Sequence, residues 1–177
     1  MKDQVKEVDT HHPFTRSIEL LNAALDNEIA TTLQYVYFHI HLDDARYREL
    51  SELFEKIAIR EMAHTERIAK RILYLEGEFD MNTTFKAKRL TSVEEMLSLA
   101  EYLEEMTIAN YNAYVRESGE LKDGITHTLF EELLADEESH HDAFRQEKHH
   151  LKLFGDKYLM LQAQSFLHEE LEKMPAQ

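Results

Sequence analysis

The sequence predicts an all-α protein: an antiparallel four-helix bundle with one long crossover between its second and third helices and a short fifth helix at its C-terminal end. Three observations carry this expectation. Glycine and proline are scarce, 4 and 2 among 177 residues, while Glu, Leu, Ala and Lys are plentiful, a mix that favours long unbroken helices. Apolar residues recur at helical spacing over four stretches of roughly 30 residues each. Short turns join the first stretch to the second and the third to the fourth, whereas the middle connection is long and without period.

The elements follow in order. Residues 1–13, "MKDQVKEVDTHHP", show no apolar period and read as a flexible N-terminus. The bundle occupies 14–154 and the closing helix 156–172, within a single domain. The first helix starts at Phe14 or Thr15, just after Pro13, and runs to Leu42. Asp43 and Asp44 then offer N-caps for a second helix over 45–75 that stops before Gly77. Residues 77–90 form the crossover, which must span helices roughly 45 Å long. Thr91 and Ser92 each precede a glutamate by three residues (Glu94 and Glu95), the capping-box pattern of a helix start. The third helix runs to Glu117, "SGELKDG" at 118–124 turns the chain, and the fourth helix runs from Ile125 to Phe154, ended by Gly155.

Composition narrows the function. The chain has no cysteine, which excludes disulfides, thiolate metal sites and cysteine nucleophiles. A net charge of -15 argues against a nucleic-acid partner, and the basic "FKAKRL" at 85–90 is short. No apolar run is long enough to span a membrane, and the N-terminus lacks a signal-peptide core. A cytoplasmic protein without membrane association is expected.

The chemistry starts from "REMAHTER", residues 60–67. Glu61 and His64 are three apart, so a helix stacks them on one face. That face is otherwise the apolar stripe Leu50, Phe54, Ile57, Ile68, Ile72 and Leu75. The fourth helix repeats the interruption: in "DEESHHDAF", Glu137 and His140 lie on the stripe Leu133, Phe144 and Leu151. Glu28 lies 33 residues before Glu61, and Glu104 lies 33 residues before Glu137. Each lone glutamate has a tyrosine seven residues later, Tyr35 and Tyr111, on its own helix face. The two halves of the chain thus carry one pattern, offset by 76 residues.

One Glu-x-x-His in a Glu-rich helical chain means little, and an isolated core Glu or His is more often a satisfied structural residue. Six together are different. Four carboxylates meeting in one core repel each other and lose hydration. Two divalent cations neutralise them, and two imidazoles supply one nitrogen to each. Carboxylate and imidazole without thiolate suit iron or manganese better than zinc. The ligand set of Glu28, Glu61, His64, Glu104, Glu137 and His140 is that of ferritin-like dinuclear bundles.

The chain resembles the bacterioferritins along nearly its whole length. "LNAALDNEIATTLQY" (21–35), "EMAH" (61–64), "RILYLEG" (71–77), "VEEML" (93–97) and "DEESH" (136–140) are similar to that family's motifs in order and spacing, and "YLMLQAQ" (158–164) to its fifth helix. The resemblance implies that Glu61 and Glu137 bridge two irons, with Glu28 and His64 completing one and Glu104 and His140 the other. It implies Fe(II) oxidation by dioxygen or hydrogen peroxide, a ferric mineral stored in a homo-oligomeric shell of 24 subunits, and a ferredoxin-type reductant for iron release. Tyr35 and Tyr111 are expected to orient carboxylates, though core packing explains them equally well.

The family also implies a b-type haem at a twofold dimer interface, gripped by the methionine after the bridging glutamate, here Met62. Methionine is equally a common interface filler. Thr32 and Glu55 place polar groups where that haem pocket would lie. Lys56 and Arg60 stand where some relatives carry a further His/Asp iron site, and protonated cations cannot ligate iron. His141, His149 and His150 fall off the ligand stripe and have no assigned role. Other readings remain: a rubrerythrin-type di-iron peroxidase or oxidase without mineral storage, whose usual rubredoxin module needs four cysteines; a DNA-protecting mini-ferritin; and a metal-free structural bundle.

Overall fold

A computed structural model describes residues 13–81 and 86–173, with side chains described as far as residue 164. It contains five helices: α1 (Thr15–Asp44), α2 (Arg48–Tyr74), α3 (Val93–Glu120), α4 (Gly124–Phe154) and α5 (Asp156–Lys173). The expected flexible segment lies, apart from Pro13, outside the described residues. Among the described residues no helix is long and apolar enough to cross a membrane.

α1 packs along α2 and α3 along α4, and the two hairpins join through α1–α3 and α2–α4 contacts. The crossover climbs the bundle along α1. Asn22 donates from Nδ2 to the Glu78 carbonyl at 3.1 Å. Gln34, three turns further on, exchanges two hydrogen bonds with the Lys88 backbone: its Oε1 accepts from Lys88 N at 2.7 Å, and its Nε2 donates to Lys88 O at 3.2 Å. The buried Gln34 amide thus substitutes for a strand partner. It delivers the chain to the start of α3 beside the C-terminal end of α1, so α1 and α3 run antiparallel.

The helix starts are partly as expected. Ser92 caps α3 as expected, its side chain accepting from Glu95 N; Asp123, inside the expected turn, caps α4, accepting from Thr126 N. Asp43 and Asp44 do not cap α2. They form the last residues of α1, and α2 begins later, at Arg48, behind Tyr47, which makes no side-chain cap. Gln162 of α5 meets part of that need, its Oε1 accepting from Leu50 N at 3.2 Å.

α2 stops before Gly77 as expected, whereas α1 and α3 run past their expected ends, and all three close in the same way. α1, α2 and α3 each stop at a non-glycine residue in the left-handed region: Arg46 (φ 66), Glu76 (φ 58) and Lys122 (φ 59). In each, the next residue's N–H reaches back five positions to a helical carbonyl: Tyr47 to Leu42 at 2.9 Å, Gly77 to Ile72 at 2.9 Å, Asp123 to Ser118 at 3.2 Å. These are Schellman closures. The third helix therefore runs to Glu120 rather than Glu117, and the turn shrinks to 121–123. Gly77 is not the left-handed residue. Its Cα lies against α1, where an added Cβ would sit 2.8 Å from Ile18 Cγ2. Gly155 (φ 53) ends α4 as expected.

The core is split. One cluster gathers Tyr35, Phe38, Leu42, Leu50, Phe54, Leu97, Ala100 and Phe144 at the α5 end of the bundle. The other gathers Leu21, Leu25, Ile68, Ile72, Tyr111, Phe130 and Leu133 at the opposite end. Each is tied by tilted and edge-on aromatic pairs, Tyr35–Phe144 at 5.3 Å and Tyr111–Phe130 at 5.7 Å among them. Between the two lies a layer of charge.

Candidate metal centre

Each of the first four helices brings part of that layer. α1 supplies Glu28, α2 Glu61 and His64, α3 Glu104, and α4 Glu137 and His140, all buried. All six expected residues are brought together. Their ligand atoms form two overlapping groups, Glu28, Glu61, His64 and Glu137, and Glu61, Glu104, Glu137 and His140, with the atoms of each within 4.8 Å of one another. Glu61 and Glu137 belong to both. His64 Nδ1 faces Glu61 at 3.0 Å, Glu137 at 3.1 Å and Glu28 at 3.5 Å. His140 Nδ1 faces Glu61 at 2.9 Å, Glu137 at 3.8 Å and Glu104 at 3.9 Å. The imidazoles stack with centroids 5.9 Å apart.

These contacts are close but misdirected for hydrogen bonding. Both Glu61 oxygens, Glu104 Oε2, Glu137 Oε1, His64 Nδ1 and both His140 nitrogens are buried without a hydrogen-bond partner. Among the described residues, every such buried side-chain atom belongs to this cluster. Seven stranded polar atoms in an otherwise satisfied core are an expensive arrangement. Carboxylate oxygens and imidazole nitrogens converging on two points are the donor set of a dinuclear metal centre, and the residues fit it.

Electrostatics agrees. Burial, then the charges of Glu61 and Glu137, pushes the Glu28 carboxyl well above its ordinary range. Burial, then Glu137 and Glu61, does the same to Glu104. Burial also drives the Glu61 carboxyl upward, but the His140 and His64 imidazoles that face it outweigh burial and hold the group low. Burial disfavours the charged imidazoles, yet Glu137, Glu28 and Glu61 raise His64 far above its ordinary value, and Glu137 and Glu61 lift His140 to about 9. Without metal, protons do the neutralising that cations would otherwise do.

The tyrosines pair across helices rather than along them. Tyr35 donates to Glu104, and Tyr111 donates to Glu28. Burial, then the partner carboxylate, pushes both phenols up, so both remain donors. One contact was not singled out from the sequence. Asp136 Oδ2 lies 3.1 Å from His64 Nε2, on the ring edge away from the cluster. In the sequence Asp136 is one of three consecutive acidic residues, and only the 76-residue repeat, which sets it against Arg60, could have marked it.

The comparisons with known proteins bear on this geometry. The ferritin-like domain family model matches residues 18–154. A bacterioferritin of Desulfovibrio desulfuricans is 34% identical over 145 residues, covering 80% of this chain and 79% of the relative. The chain belongs to the bacterioferritin family. A Brucella melitensis bacterioferritin is 33% identical over 125 residues, covering 71% and 78%. Among solved structures, the Desulfovibrio desulfuricans bacterioferritin, described with its diiron site in different catalytic states, superposes with a TM-score of 0.83 at 32% identity, covering 85% of this chain and 88% of that one. Rhodobacter capsulatus bacterioferritin, described with a metal-free dinuclear site and a haem iron in a crystallographic special position, gives 0.80 at 26% identity, covering 84% and 93%.

Other expected bacterioferritin features can be placed. Met62 points out of the bundle, 59% exposed, into a shallow apolar groove with Ile59, Ala63, Ala69, Phe79 and Met81. Thr32 turns its hydroxyl back onto the Glu28 carbonyl at 2.8 Å, and Glu55 is exposed outside that groove. Lys56 is exposed beside Glu52 at 3.4 Å, and Arg60 is exposed near Asp136 at 4.0 Å. His149 and His150 stay at the surface of α4 beside Arg145 and Gln146.

Proposed function

We propose that the protein is a ferroxidase and iron store, taking Fe(II) at the centre between α1, α2, α3 and α4 and holding it as ferric mineral in an oligomeric shell of 24 subunits. The observation that carries this reading is the set of stranded buried atoms, all within six residues that satisfy two cations at once. Bound iron would supply one-electron chemistry toward dioxygen or hydrogen peroxide. Glu61 and Glu137, common to both groups, would bridge the two positions. Glu28 with His64 would complete one, and Glu104 with His140 the other. Tyr111 and Tyr35 would fix the terminal carboxylates through their hydroxyls. The apolar clusters on either side would keep water from the ends of the site. The antiparallel bundle and the likeness to bacterioferritins along most of the chain support the storage half of the reading.

A b-type haem held by Met62 and the same residue of a second copy belongs to the same proposal. The groove around Met62 is apolar and open, as a site shared across a twofold axis requires, and the Thr32 hydroxyl is satisfied within its own helix.

The test is an anaerobic Fe(II) titration of the metal-free protein, each aliquot then exposed to air and its soluble iron counted per chain. Fast oxidation of about two irons per chain, followed by soluble uptake far beyond that, is expected. Uptake that stops near two, with further iron precipitating, refutes storage and leaves a di-iron redox enzyme.

A further inference from the structure

The 76-residue repeat relates the two halves of the centre, Glu28 to Glu104, Glu61 to Glu137 and His64 to His140. It fails at the residue that touches His64 from outside the centre: Asp136 corresponds to Arg60. The consequence is visible at the outer edges of the two imidazoles. His64 Nε2 has the Asp136 carboxylate at 3.1 Å. His140 Nε2 is buried and has no hydrogen-bond partner. Arg60 is a cation with no acceptor to offer an imidazole N–H, and its guanidinium lies 4.0 Å from the other oxygen of Asp136. One imidazole is therefore locked by a carboxylate that is itself steadied by a cation, while its counterpart is held only by packing.

We propose that Asp136 is a positioning residue that makes the two metal positions unequal: the position completed by His64 is tight and fills first, and the position completed by His140 is weak and exchanges. This inference rests on the metal reading given above. A carboxylate on the outer nitrogen fixes ring orientation and tautomer, with Nε2–H donating outward and Nδ1 presenting its lone pair inward, and makes Nδ1 a better donor. Loss of such a partner weakens metal binding by about 10- to 100-fold. A centre that must take up Fe(II) and pass on Fe(III) is served by one ligand position that retains and one that releases.

The experiment is an anaerobic Co(II) titration of the full-length chain, read by the visible absorption of bound cobalt, with far-UV circular dichroism as the check on folding. Two steps are expected, separated by about 10- to 100-fold in Kd. Asp136→Ala should weaken the first step by a similar factor and leave the second alone. Asp136→Asn, which keeps a carbonyl acceptor, should recover part of the loss. Arg60→Asp, which restores the repeat at the counterpart position, should tighten the second step, and by more than Arg60→Asn, which offers only a carbonyl. Equal steps in the wild type, an Asp136→Ala effect of the same size on both steps, or an Arg60→Asp step no tighter than that of Arg60→Asn would overturn the proposal. A wild-type chain that binds no cobalt overturns the metal centre itself, and the inference with it.

Discussion

The Tyr111 hydroxyl on α3 donates to the Glu28 carboxylate on α1, 83 residues away in the chain. Its counterpart, Tyr35 on α1, donates to Glu104 on α3. Seven residues of helix separate each tyrosine from the glutamate on its own face, about 10 Å, too far to touch. Because α1 and α3 run antiparallel, each tyrosine comes level with the other helix's glutamate instead. Tyr111→Phe leaves a buried carboxyl oxygen without its donor. Urea denaturation of the metal-free protein should show a loss of about 1 to 3 kcal/mol.

Glu61 and Glu137 lie in both ligand groups, whereas Glu28 and Glu104 lie in one each. Glu61→Ala should therefore lose both metals, and Glu104→Ala only the one completed by His140. Elemental analysis after anaerobic Fe(II) loading counts them. The metal-free Glu61→Ala protein should remain folded, because the two apolar clusters that flank the charged layer keep their packing. An unchanged metal content in Glu61→Ala would refute the centre.

How much of this was legible beforehand depends on range. The six ligands could be read because Glu-x-x-His is a one-turn relation and the 76-residue repeat vouches for it. The Ser92 cap and the Gly155 stop are likewise local. The tyrosine exchange could not be read, because sequence gives the face of a helix and not the level at which another helix passes. Asp136 was hidden for the same reason, among Glu137 and Glu138. The ends of the first and third helices were misplaced because the chain uses Arg46 and Lys122 where glycine is the usual residue.

Lys122 adopts a left-handed conformation that costs an L-residue about 1 to 2 kcal/mol, and it is exposed. Lys122→Gly removes that cost and gives back part of it as unfolded-chain entropy. A net gain of about 0.5 to 1 kcal/mol is expected in urea denaturation.

Gly77 allows the opposite test. A methyl there would sit 2.8 Å from Ile18 Cγ2 and 3.0 Å from Cδ1. Gly77→Ala should cost about 1 to 3 kcal/mol. Ile18→Ala in the same chain should recover part of it, and a double variant less stable than the sum of its parts would exclude the clash.

Asp123 supplies a pH dependence away from the metal centre. Burial drives its carboxyl upward, but hydrogen bonds from Thr126 and Ser17, and the Arg71 guanidinium at 2.6 Å, outweigh burial and hold it low. A carboxyl with a depressed native pKa contributes stability that is fully present above its ordinary range and lost as pH falls through the native value. Below about pH 4 the wild type should lose Tm faster than Asp123→Asn, and parallel curves would refute this role.

The charged layer midway along the core also fixes alignment. An apolar bundle can slide by a turn and find new apolar partners, much as a coiled coil without a buried polar residue can slip its register. Here a one-turn shift of α3 along α1 would part Tyr111 from Glu28 and Tyr35 from Glu104 together. The centre is therefore a vernier mark as well as a binding site, and it permits one relative height of the four helices.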